Sequence, residues 1–131
     1  MVDNKKTILI VEDETPLLKI YAERFAEEGF LVLKASNGQE GLELAIKEKP
    51  DLILTDILMP VMDGLTMTQK LRKINSWGKM VPIILLTNLT ADVGKIKKIV
   101  VENSPVYYLL KSDWSLGAIV DKIKEQLAIL N

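Results

Sequence analysis

Four polar clusters interrupt otherwise aliphatic stretches of this chain: Glu12-Asp13, Asp56, Thr87 and Lys111. Together they supply three carboxylates, a hydroxyl and an ammonium. That set suits holding a divalent metal and a phosphoryl group against an aspartate, because hard cations take oxygen donors and phosphoryl oxygens take N–H and O–H donors. Each cluster alone has a plainer reading. Acidic residues are favoured before helix N-termini, and an aspartate can cap a loop. Threonine is common in strands, and a lysine can snorkel into solvent. Only as a set, brought to one edge, do they read as a site.

The sequence says how they would be brought together. Ile8-Leu9-Ile10-Val11 runs into Glu12-Asp13, and Leu52-Ile53-Leu54-Thr55 runs into Asp56. Ile83-Ile84-Leu85-Leu86 precedes Thr87, and Val106-Tyr107-Tyr108-Leu109-Leu110 precedes Lys111. Continuous aliphatic runs fit strands buried on both faces of a parallel sheet. A second, less marked strand lies near Leu31-Val32-Leu33. Helical periodicity predicts helices over 15–28, 38–48, 64–75, 91–102 and 115–129. In the first, Leu17, Leu18, Tyr21, Ala22 and Phe25 recur at three- and four-residue steps. In the last, Leu116, Ile119, Val120, Ile123 and Leu127 do the same. Thr15-Pro16 gives a capping hydroxyl followed by proline at the first helical position, and Gly29 and Gly38 punctuate loops. Five strands alternating with five helices predict a three-layer, doubly wound α/β domain with right-handed crossovers. In such sheets ligands bind at the carboxyl ends of the strands, which is where all four clusters fall.

Composition narrows the chemistry. A chain of 131 residues fits one domain with a real core, expected here over residues 1–131. The formal net charge of −1 gives no basic footprint for direct nucleic-acid binding. No apolar stretch approaches a bilayer span. Met1-Val2-Asp3-Asn4-Lys5-Lys6 lacks a signal-peptide core, so a cytoplasmic location without a membrane partner is expected. Cysteine and histidine are both absent, which removes disulfides, thiolate catalysis and histidine chemistry, including a phosphohistidine on this chain. The last predicted helix nearly reaches the end of the chain, so no output domain is expected.

Met59-Pro60-Val61-Met62-Asp63-Gly64 reads as a rigid loop ending in a turn and helix start. It could aim backbone amides at an anion and a carbonyl at a metal. The ordered set of Glu12-Asp13, Asp56, this loop, Thr87 and Lys111 resembles the receiver domain of two-component response regulators, over essentially the whole chain. The intervals of 43, 31 and 24 residues from Asp13 to Asp56 to Thr87 to Lys111 fit that family. The resemblance implies a flavodoxin-like sheet of strand order 2-1-3-4-5. It implies a stand-alone phosphoacceptor of the chemotaxis or phosphorelay type, which catalyses its own phosphorylation and dephosphorylation without turnover on an external substrate. Asp56 would take the phosphoryl group from a sensor histidine kinase or histidine phosphotransfer protein. Glu12, Asp13, Asp56 and the Leu58 backbone carbonyl would hold Mg²⁺, with Mn²⁺ as the alternative. Thr87 and Lys111 would bond phosphoryl oxygens. Thr87 and Tyr108 would form a switch that reshapes the face of the fourth helix, fifth strand and fifth helix toward an unidentified downstream protein. A relay intermediate and a degenerate receiver are the competing roles. A nucleotide-binding enzyme would need a glycine-rich loop, and Val11-Glu12-Asp13-Glu14-Thr15 has no glycine.

Three departures from the family pattern matter. Ser112 replaces the usual proline after the lysine. A cis bond before a non-proline residue costs about 3–4 kcal/mol, so the expectation is a trans bond with a shifted loop, or a strained cis bond. Leu58 and Leu89 replace polar residues on the route of attacking water, which predicts slow loss of the phosphoryl group. Gly94, with Lys95, Lys97 and Lys98, makes the fourth predicted helix soft and lysine-rich, either a solvated face or a mark for an acidic partner. Its exit is Glu102-Asn103-Ser104-Pro105 in place of a glycine.

Overall fold

In a computed structural model describing residues 5–88 and 93–127, five strands form one parallel sheet. They are β1 (Thr7–Val11), β2 (Leu31–Ala35), β3 (Leu52–Asp56), β4 (Ile83–Thr87) and β5 (Val106–Leu110), in the order β2-β1-β3-β4-β5. Fold class and strand order agree with expectation. Around them lie α1 (Thr15–Glu27), α2 (Gly38–Glu48), α3 (Gly64–Arg72), α4 (Ser76–Met80), α5 (Val93–Glu102) and α6 (Leu116–Gln126).

The central strands are aliphatic throughout because both faces are covered. Leu9, Val11, Ile53, Ile83 and Leu85 pack under α2, α3 and α5. Ile8, Ile10, Leu52, Leu54, Ile84, Leu86 and Leu109 pack under α1 and α6, where Tyr21 and Phe25 stack with ring centroids 6.0 Å apart. Each such side chain removed from water is worth about 1.5–3 kcal/mol. β2 is an edge strand with Leu31 and Lys34 exposed and only Ala35 fully buried, which is why its apolar signal was faint.

Five predicted helices become six. The stretch expected over 64–75 ends at Arg72, and α4 follows separately. Asn75 is extended at φ −165, and its side chain accepts from the Gly78 amide at 2.8 Å, so a new helix is capped where continuation was expected. The predicted fourth and fifth helices are therefore α5 and α6. Thr15 is the first helical residue and not its cap. Glu14 takes the cap position without a side-chain bond, and its own amide is held by Glu12 Oε2 at 3.1 Å. Likewise Gly38 opens α2 and is not a loop residue.

The base of the sheet, opposite the polar clusters, is organised by Arg72. This buried guanidinium donates to the carbonyls of Asn103 at 2.7 Å, Gly78 at 2.8 Å and Pro105 at 2.9 Å. Burial pulls its pKa down to about 10, which leaves it charged at neutral pH. It joins α3, α4 and the exit from α5, where the Ser104–Pro105 bond is cis.

Candidate functional site

Strand alternation explains which clusters meet. Ile10, Leu54 and Leu109 all face α1 and α6. Two residues further along each strand, Glu12, Asp56 and Lys111 continue on that side at the carboxyl edge. Lys111 reaches past β4 and its Nζ donates to Glu12 Oε1 at 2.9 Å and Asp56 Oδ2 at 3.0 Å. Asp56 Oδ1 accepts from the Ile57 amide at 2.7 Å. Carboxylate oxygens of Glu12, Asp13 and Asp56 all lie within 4.8 Å of one another. Glu12 is buried, while Asp13 is open to solvent.

The electrostatics are those of a crowded carboxylate site. Burial holds the Glu12 carboxyl above its ordinary value, and Asp56 adds to this against the Lys111 and Glu14 hydrogen bonds. For Lys111, burial opposes the charge, yet the bonds to Glu12 and Asp56 win and push its pKa up to about 12. One ammonium thus serves two buried acids, with exposed Asp13 beside them. The donor set is all oxygen, anionic and under-neutralised, which fits a hard divalent cation such as Mg²⁺.

Thr87 is buried at the end of β4, in register with Leu110. It falls two residues after Leu85, which pairs with Tyr108, so Thr87 and Tyr108 share the face toward α5. Tyr108 is half-buried against the core beneath that helix. Tyr107 turns to the other face and lies under Lys122, whose Nζ is 4.9 Å from the ring centroid. The Lys111–Ser112 bond is trans, and Lys111–Asp113 winds into a 3-10 turn. Of the two expectations the trans bond is the one found, and Lys111 still reaches its acids. Leu58 is 63% exposed next to Asp56, whereas Leu89 lies outside the described residues. Lys95, Lys97 and Lys98 are all exposed.

The loop after Asp56 is tightly constrained. Gly64 donates to the Ile57 carbonyl at 2.8 Å, and Met62 donates to Pro60 at 2.8 Å across a γ-turn centred on Val61. Val61 has φ 70, a positive-φ backbone that costs a β-branched residue about 1–3 kcal/mol. Asp63 caps α3 by accepting from the Thr66 amide at 2.7 Å. Sequence reasoning missed two neighbours. Gly38 touches this loop. Tyr21, whose phenol is pushed up by burial, sits within the electrostatic reach of Lys111, Glu12 and Asp56. Helical periodicity marked Tyr21 as core, which it is, but not as lying beneath the site.

Comparison with known proteins agrees with the geometry. Residues 8–124 match the family described as "Response regulator receiver domain". The chain is 45% identical over 90 residues to "Probable transcriptional regulator ycf29" of Porphyra purpurea, covering 69% of this chain and 43% of that protein. It is 37% identical over 93 residues to the alkaline phosphatase synthesis transcriptional regulatory protein PhoP of Bacillus subtilis, covering 71% of this chain and 37% of that protein. The chain thus spans less than half the length of these relatives. A response regulator receiver domain protein (CheY-like) from Methanospirillum hungatei superposes with TM-score 0.83 at 29% identity, over 95% of each chain. Among the described residues no helix is long and apolar enough to cross a membrane. With five parallel strands in this order and the acidic site at their carboxyl edge, the chain belongs to the receiver domains of two-component response regulators.

Proposed function

We propose that this receiver accepts a phosphoryl group on Asp56 from a phosphohistidine of a sensor kinase or phosphotransfer protein, and that residues 1–131 act as one such unit. The observation that supports it best is the convergence of three carboxylates within 4.8 Å, with Lys111 bonded to two of them. One Asp56 carboxylate oxygen forms the new P–O bond while the P–N bond to the donor imidazole breaks, and the leaving nitrogen keeps the electron pair. Lys111 and Thr87 bond the phosphoryl oxygens and lower the cost of the charge that gathers there. Glu12, Asp13, Asp56 and the Leu58 carbonyl would hold Mg²⁺ (Mn²⁺ as the alternative). When bound, the ion neutralises charge between Asp56 and the incoming group. The domain turns over no external substrate.

Thr87 and Tyr108 share a face on neighbouring strands, which supports a switch between them. A Thr87 drawn toward the phosphoryl group would leave room for Tyr108 to turn inward and reshape the α5–β5–α6 face for a downstream protein. The net charge of −1 supports a protein partner over direct contact with nucleic acid, in a cytoplasmic setting.

Tryptophan fluorescence tests the reading. Trp114 packs half-buried just past Lys111. Mg²⁺ followed by beryllofluoride, a mimic of aspartyl phosphate, is expected to give a saturable response that Asp56→Asn abolishes. Absence of binding to wild type, confirmed by calorimetry, would overturn the reading.

Leu58 carries a second expectation. It offers no hydrogen bond to orient an attacking water. The phosphoryl form should decay over many minutes to hours, and Leu58→Asn should hasten decay by about tenfold. Decay within seconds, unchanged in Leu58→Asn, would contradict it.

A further inference from the structure

The amide of Gly38, the first residue of α2, donates to the Met62 carbonyl at 3.0 Å. The first amides of a helix have no partner inside it, so the loop caps α2 and α2 in turn pins the loop. A Cβ built on Gly38 would stand 2.1 Å from the Met62 carbonyl oxygen and 2.7 Å from its carbon. Both are backbone atoms, so no side-chain rotation relieves the overlap. The loop, whose Leu58, Pro60 and Val61 are exposed, would have to withdraw from α2 by roughly 1 Å to restore an ordinary contact.

The loop is held at its other end as well. At its far end the loop is fastened by the Gly64 amide to Ile57, and a Cβ at Gly64 would itself meet the Asp56 carbonyl at 2.1 Å. Between these fastenings sits the strained Val61 turn. A loop that holds an unfavourable conformation needs clamps outside itself, and Gly38 is the clamp on the α2 side.

We infer that Gly38 is a positioning residue for the phosphoryl-accepting site: its lack of a side chain lets α2 set the loop that follows Asp56. This rests on the proposed function, because the loop matters as the neighbour of Asp56 and the bearer of the Leu58 carbonyl. Gly38 touches no substrate, so its effect must travel through the loop.

The experiment compares Gly38→Ala with Gly78→Ala, at a temperature where both are folded. Gly78 offers the same kind of overlap, 2.2 Å to the Leu71 carbonyl oxygen, at the opposite end of the sheet. Without metal, Gly38→Ala should shift the amide resonances of residues 58–63, and Gly78→Ala should not. In a Mg²⁺ titration followed at Trp114, Gly38→Ala should bind about tenfold more weakly, with phosphorylation slowed by about 10- to 100-fold. Gly78→Ala should lose stability and keep wild-type Mg²⁺ affinity. Unshifted loop amides with wild-type affinity in Gly38→Ala, or equal weakening in both variants, would overturn the inference while a responding wild type keeps the proposed function. If Gly38→Ala does not fold, hydrogen exchange at the wild-type Gly38 amide decides. It should slow when Mg²⁺ and beryllofluoride bind, since coupling is reciprocal, and unchanged exchange would overturn the inference. A wild type that binds neither probe would instead overturn the proposed function itself.

Discussion

Lys111→Met is expected to destabilise the metal-free protein by about 3 kcal/mol at neutral pH, and Mg²⁺ is expected to restore most of that loss. The side chains of Glu12, Asp56 and Lys111 are only 2%, 12% and 10% exposed. Removing one partner of a buried ion pair leaves an uncompensated charge, which costs about 3–5 kcal/mol. Here two carboxylates lose the same ammonium. A divalent cation supplies the missing charge, so the variant should bind Mg²⁺ more tightly than wild type, which must first release Lys111. Beryllofluoride affinity should nevertheless fall, because the phosphoryl-bonding ammonium is gone. The pH dependence has a definite sign. The folded pKa of Lys111, about 12, lies above its ordinary 10.5, so its contribution is complete below pH 10.5. That contribution fades as pH rises toward 12 and amounts to about 2 kcal/mol. Urea unfolding of wild type should show this alkaline loss, and subtracting the Lys111→Met curve removes the tyrosines and Arg72 from the comparison. Acid should rescue the variant, because Glu12 holds its proton above the ordinary range and no longer needs a partner once neutral. A variant as stable as wild type without metal, or indifferent to Mg²⁺, would show that Lys111 is not the counter-charge of the site.

Arg72→Met should cost at least as much, about 3–5 kcal/mol, without touching the site. It strands the buried carbonyl of Gly78 and the half-buried one of Asn103, and among the described residues leaves the Pro105 carbonyl with the Ile83 amide, 3.1 Å away. Each buried polar group left without a partner costs about 1–3 kcal/mol. Arg72→Lys should recover little, since one ammonium cannot span three carbonyls that a planar fork reaches together. Chemical denaturation of the three proteins would check this. A loss below 1 kcal/mol for Arg72→Met would mean that water replaces the guanidinium at no cost.

Much of this molecule was readable because its signals are local. Ile8–Val11, Leu52–Thr55 and Ile83–Leu86 fitted strands buried on both faces, and strand alternation then indicated which polar residues meet. Edge strand β2 was faint because an edge needs less apolar surface. The break between α3 and α4 was missed because the third helix was read straight through Asn75, although Asn75-Ser76 is itself a capping signal. Arg72 recurs four residues after buried Thr68, but a cationic residue on a buried stripe is not predicted until the carbonyls it meets are known. Those lie 6, 31 and 33 residues away. Gly38 was legible as a glycine and not as a contact, since its partner Met62 is distant in sequence. Lys111 was named for phosphoryl oxygens, yet its hold on both Glu12 and Asp56 depends on side-chain reach that spacing does not encode.

The fastening of the sheet's base also sets where mechanical freedom can reside. Asn103 caps the end of α5 through Ile99, and Arg72 grips Asn103 and Pro105 just beyond. That end of the helix is a fulcrum. A push delivered beside Thr87 acts at the other end of the lever, so displacement should grow along α5 from Glu102 back toward Val93. The lysines at 95, 97 and 98 ride on the long arm. A partner seated on them would read a swing larger than the local shift that starts it.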